Sequence, residues 1–141
     1  MKYVLLISFV AHTMEVLHCQ PQYNELNPIV KIKVFAVSRD QKGTIGVNPI
    51  NIKSIKNVDV FEIVDTVCLK TIQKNLLELK ELQITHEMRT IYLLCEIFYK
   101  DGLRKSIAFE ASPSGCIQVN SKIFLYDAGL ESKILGCSIK Q

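Results

Sequence analysis

A β-dominated α+β fold is what this sequence predicts: a largely antiparallel sheet of about six or seven strands carrying one amphipathic helix. Three observations predict it. Short runs in which apolar and polar residues alternate recur along the chain. An Asp-Gly pair separates two β-rich runs, residues 90–99 and 103–111, which is a hairpin signature. A single stretch, Thr66 to Leu82, repeats its leucines and isoleucines at three- and four-residue steps. An all-β two-layer sandwich is the alternative architecture.

The chain opens with MKYVLLISFVAHTMEVLHC. Lys2 precedes an apolar run from Tyr3 to Ala11, too short to span a bilayer and of the form of a cleaved export signal. His12 and Glu15 interrupt it, and cleavage after Thr13 or after Cys19 fits the flanking residues. Residues 1–19 are read as a secretory signal; the other reading of residues 3–17 is a buried strand or helix of an intracellular protein. Residues 20–28, polar and holding two prolines, form an extended lead-in. Removing nineteen residues from 141 leaves 122, enough for a single globular domain over 29–141.

Each later element follows from its pattern. In residues 29–37 (IVKIKVFAV), Val30, Ile32 and Val34 alternate with Lys31 and Lys33, a half-buried strand. Residues 38–46 supply a polar turn. Residues 47–55 carry Ile50, Ile52 and Ile55, with Pro49 limiting them to a short or edge strand. Residues 58–64 (VDVFEIV) alternate again. In the helix from Thr66 to Leu82, Leu69, Ile72, Leu76, Leu79 and Leu82 make the apolar stripe, and Asp65 or Thr66 caps its start. Leu77, Leu79 and Ile84 also alternate loosely, so strand is the alternative for part of it.

Residues 90–99 (TIYLLCEIFY) are apolar on both faces, as in a central strand covered from both sides. The turn 100–102 is expected to be type I′, with positive φ at Asp101 and Gly102. Residues 116–119 and 122–126 read as one interrupted strand. Residues 127–132 turn the chain, and 133–140 (KILGCSIK) close it as a final strand. Phe35, Phe61, Phe98, Phe109 and Phe124 fall in predicted strands and read as packed core.

Five cysteines are present: Cys19, Cys68, Cys95, Cys116 and Cys137. Cleavage after Cys19 leaves four, an even number that in an oxidising compartment suggests two disulfides. Three connectivities exist. The mid-strand place of Cys95 and the helical place of Cys68 favour Cys68–Cys95 with Cys116–Cys137. No pair has the C-x-x-C spacing of a zinc or redox motif.

Chemistry beyond this is sparse. The net charge of +3 is spread along the chain and gives no motive for nucleic-acid binding. His86 is the one histidine after the leader; it stands in a polar stretch, reads as a solvated surface residue, and has too few companions for a metal site. No serine or cysteine stands in a nucleophile motif. Glu62 with Asp65, and Asp127 with Glu131, are carboxylate pairs of a kind common at turns. Gly43-Thr44-Ile45-Gly46 lacks the lysine of a phosphate loop and is a turn. Lys31, Lys33, Lys53 and Lys56 form a candidate basic contact face on neighbouring strands. No catalytic residue, metal or cofactor is assigned.

Residues 122–141, KIFLYDAGLESKILGCSIKQ, resemble the closing hairpin of the MD-2-related lipid-recognition domains, in which a strand, an Asp/Gly turn and a cysteine-bearing strand end the chain. The resemblance covers about twenty residues, and the paired cysteines near that family's start have no counterpart here beyond Cys19. It implies a lipid-carrying sandwich.

Two functional expectations follow. The first is a small secreted, non-catalytic interaction protein that presents a disulfide-braced sheet to an extracellular protein partner. The second is a secreted carrier of a lipid or other apolar ligand in a β-sandwich cavity. Neither involves nucleic acid or, once the leader is removed, a membrane span.

Overall fold

The computed structural model describes residues 27–37, 47–88, 90–111 and 115–138. The proposed signal, most of the lead-in, Cys19 and the 43–46 turn lie outside them. Among the described residues seven strands form one antiparallel sheet: β1 (Ile29–Val37), β2 (Val58–Ile63), β3 (Glu81–Leu82), β4 (Ile91–Tyr99), β5 (Arg104–Glu110), β6 (Cys116–Val119) and β7 (Lys122–Leu125). Two α-helices among the described residues accompany it, α1 (Thr66–Leu77) and α2 (Ala128–Ser138). The β-dominated α+β class read from the sequence is therefore the observed one, with a second helix added.

The strand order is β2-β1-β4-β5-β6-β7-β3. Because β2 and β3 occupy opposite edges, α1 must carry the chain across the whole sheet between them. Both helices lie on the same face. Leu69 and Ile72 of α1, with Leu130 and Ile134 of α2, pack on Ile32, Val34, Leu93, Ile107, Phe109 and Ile117. Each such side chain fully buried contributes about 1.5–3 kcal/mol.

The other face carries a second core of Phe35, Val37, Leu94, Ala108, Cys116 and Ile123, closed by Val47, Ile52 and Met88 from two connecting segments. The run Ile91–Cys95 is buried at every position, as its two-sided apolar sequence implies.

β1 has the bounds its alternation predicts, but not quite the expected faces. A register shift between Ile29 and Lys31 turns Val30 outward, and Ile29 takes the inward place. The 100–102 turn forms the expected β4–β5 hairpin with a different geometry. Gly102 N–H donates to Tyr99 C=O and Tyr99 N–H to Leu103 C=O, both at 3.0 Å. Of the turn residues only Gly102 has positive φ, +87°. This is the three-residue loop with a glycine bulge, in which a single left-handed residue suffices.

Four sequence expectations are corrected. Residues 47–55 are not a strand: they turn into a short 3-10 helix at Ile52–Ser54. There Asn48 Oδ1 accepts from the N–H groups of Ile50 and Asn51, and Asn51 Oδ1 accepts from that of Asn48. Such side-chain bonds replace ladder bonds and favour turns.

The helix begins at Thr66 with Asp65 as its cap, as expected, but ends at Leu77 rather than Leu82. Residues 81–82 pair with β7 instead. Residues 116–119 and 122–125 are two strands, not one, joined by a two-residue turn at Asn120 and Ser121. Residues 133–138 are helix, not strand. Asp127 Oδ1 accepts from the N–H groups of Gly129 and Leu130 at 2.8 and 3.0 Å and so starts α2. The resemblance of the tail to a closing β-hairpin ends there, since among the described residues only its first strand is present.

Candidate functional site

A groove of about 560 Å³ opens on the helix side of the sheet, between the C-terminal half of α1 and strands β4 to β7. Leu76 of α1 faces Ile107 of β5, Val119 of β6 and Phe124 of β7 across it, with Tyr99 at one end. Strand pairing explains the match. Ile107 is opposite Val119, and Ile97 is opposite Lys105, so one pleat face supplies the floor. Core packing fills this face beneath the first turns of α1 and beneath α2. Towards the end of α1 the floor is left open.

Asn27, Gln73, Lys105 and Lys122 supply polar groups around the groove. Gln73 fixes one end: its Oε1 accepts from Ile29 N–H at 3.1 Å and its Nε2 donates to Asn27 C=O at 3.0 Å. Asn27 Oδ1 accepts from Asp101 N–H at 3.3 Å. The Asn27 Nδ2 is buried and makes no hydrogen bond of normal length among the described residues. Its amide still stands close enough to Asp101 to help the Leu103 N–H, the larger influence, hold that carboxyl below its usual range. Lys105 Nζ sits 5.4 Å from the centre of the Tyr99 ring, whose phenol burial pushes up. Lys122 Nζ bonds Glu81 Oε2 at 2.8 Å on the exposed side.

The candidate basic face is brought together only in part. Lys31, Lys33 and Lys53 share the sheet face away from the helices, while Lys56 stands exposed in the turn before β2. Lys31 pairs with Glu62 at 3.3 Å, and Lys53 with Glu96. Lys31 Nζ also lies 4.9 Å above the Phe98 ring, and Lys33 Nζ 5.4 Å above that of Phe35. Carboxylates thus neutralise two of the three clustered ammonium groups, leaving a mixed-charge face.

The cysteine expectation changes as well. Cys68 is bonded to Cys137, with Cα atoms 6.1 Å apart, and so joins α1 to α2. The expected pairs Cys68–Cys95 and Cys116–Cys137 do not form, and Cys95 and Cys116 are thiols. Sheet geometry excludes the second pair: Cys137, like Cys95, packs into the core on the helix face and Cys116 into the core on the opposite one. Burial pushes both thiols up, and Glu110 adds to the effect on Cys116.

The carboxylate pairs serve structure. Glu62 holds Lys31, Asp65 caps α1 through the Cys68 N–H at 2.8 Å, and Asp127 caps α2. Glu131 is buried and accepts from the Tyr126 hydroxyl. His86 is not simply solvated: it is half-buried, its Nε2 2.8 Å from the buried Glu110 carboxylate.

Sequence reasoning did not single out Asn27, Gln73, Lys105 or Lys122. They come from four distant segments, and only the crossing of α1 over the sheet assembles them. None of the described helices is long and apolar enough to cross a membrane. No family model matches the chain, and neither a curated protein nor a solved structure does.

Proposed function

We propose that the protein is a non-catalytic carrier of a small amphipathic molecule, held with its apolar body between α1 and the sheet. The groove carries this reading. Its volume is within the usual range of ligand sites, roughly 300–1,000 Å³. Its floor and wall are aliphatic and aromatic, while an amide donor and two lysines stand on its border. Lipids with a carboxylate or phosphate head combine those two demands. Mass spectrometry of gently purified protein tests it: a co-purifying hydrophobe of one class at near-stoichiometric amount is expected. Protein free of any such molecule, and failing to take up fatty acids or lysolipids when offered, would refute it.

A second reading keeps the protein-partner expectation. Val60 on the edge strand β2, Val64 just after it and Val67 in the first turn of α1 are 52%, 56% and 73% exposed. Apolar residues on a strand at the edge of the described sheet suit pairing with another chain. Replacing Val60 and Val64 with lysine abolishes partner capture on this reading and leaves ligand uptake intact on the first.

Both readings include export, proposed from residues 1–19. N-terminal sequencing of protein from its native source is expected to begin after Thr13 or Cys19; a start at Met1 contradicts export.

A further inference from the structure

The sheet face turned away from the helices carries a cluster that the carrier reading does not use. β5 and β6 run antiparallel with Phe109 opposite Ile117. One step further along that register, Glu110 stands beside Cys116. Side chains directly opposite on one face have their Cβ atoms about 5 Å apart. His86, from the segment joining β3 to β4, completes the group, with its Nε2 2.8 Å from Glu110 Oε2. One donor atom from each of His86, Glu110 and Cys116 lies within 4.8 Å of the other two. Glu110 is 5% and Cys116 6% exposed. A buried thiol and a buried carboxylate therefore converge with a half-buried imidazole, and on their side an ion's charge is poorly screened. A cleft of about 740 Å³ runs along the same face with His86 in its wall, so the imidazole side of the cluster borders open space.

We propose that His86, Glu110 and Cys116 bind a divalent transition-metal ion, zinc being the one that the donor set suits best. Thiolate sulfur, imidazole nitrogen and carboxylate oxygen are the three protein donors that zinc takes, at about 2.0–2.3 Å. Around a tetrahedral ion those bond lengths set donors roughly 3.4–3.8 Å apart. The cluster reaches that spacing by side-chain movements of about an ångström. Magnesium and calcium demand all-oxygen shells and are disfavoured by the sulfur. Three protein donors leave one tetrahedral position for water or an outside ligand, the pattern of an open zinc centre. Among the described residues the other free thiol, Cys95, lies on the opposite side of the sheet and so does not compete for Cys116.

The test uses the untagged, disulfide-intact full chain, stripped with a chelator and titrated with cobalt(II). A saturable one-to-one signal is expected, combining a sulfur-to-cobalt charge-transfer band with the intense visible bands of a tetrahedral ion, both erased by added zinc. Cys116→Ser removes the charge-transfer band, and His86→Ala weakens affinity at least tenfold while the far-ultraviolet circular dichroism stays native. Cys95→Ser leaves the spectrum unchanged. Zinc raises Tm for the wild type and not for Cys116→Ser. No saturable signal, or one that survives unchanged in both His86→Ala and Cys116→Ser, overturns the assignment.

Discussion

At the scale of single residues, several polar side chains do structural work that their types alone do not announce. Gln73 bonds the backbone of residues 27 and 29 from an otherwise apolar helix face. Asp101 accepts from the Leu103 N–H at 2.8 Å and so stiffens the β4–β5 loop. That carboxyl is held below its usual range in the folded chain. A depressed value means that the unfolded chain binds the proton first as pH falls. The hairpin's share of stability is therefore full above the ordinary aspartate value, about 3.9, and is lost as pH drops through the folded value. Asp101→Asn is expected to lower Tm at neutral pH and to flatten the fall in Tm between about pH 5 and pH 2. Thermal scans across that range check it, and an unchanged acid slope counts against the assigned bond.

At the scale of elements, the tie between α1 and α2 is the clearest claim. The Cys68–Cys137 bridge spans a sequence separation of 69 residues. On the chain-entropy view, closing so long a loop stabilises by about 4 kcal/mol. Replacing both cysteines with serine is expected to cost about 2–4 kcal/mol in urea unfolding. A loss under about 0.5 kcal/mol would show that the helices are held by packing alone. The same elements show where the sequence was legible. β1 and β2 declare themselves because alternation has one structural meaning when one face is buried, and β4 and β5 because Asp-Gly stands between two β-rich runs. α2 was hidden: KILGCSIK has the look of a strand, yet Leu130, Ile134 and Cys137 fall at i, i+4 and i+7, which is helical spacing. The end of α1 was overrun for the mirrored reason. Leu79 and Leu82 continue a helical period by coincidence while packing from the turn and from β3. The segment at 47–55 reads as a strand because its isoleucines outweigh Asn48 and Asn51, whose side chains hold a turn.

At the scale of the whole molecule, the sheet separates two kinds of site. On one side α1 crosses from edge strand to edge strand and overhangs an apolar groove. On the other, connecting segments cover a second core and bring His86 to Glu110 and Cys116. Neither assembly was legible, because each draws single ordinary residues from segments distant in sequence, and only strand order makes them neighbours. The lysine face was legible as a cluster but not as a neutralised one, since Glu62 and Glu96 arrive from adjacent strands. The groove is the element on which the functional account turns, and a fluorescence titration with an environment-sensitive fatty-acid probe tests it most directly. The wild type is expected to bind one probe saturably, and Val119→Trp, which fills the groove floor, to lose at least tenfold in affinity with Tm little changed. Equal binding by the two proteins, or no saturable binding by the wild type, contradicts the account.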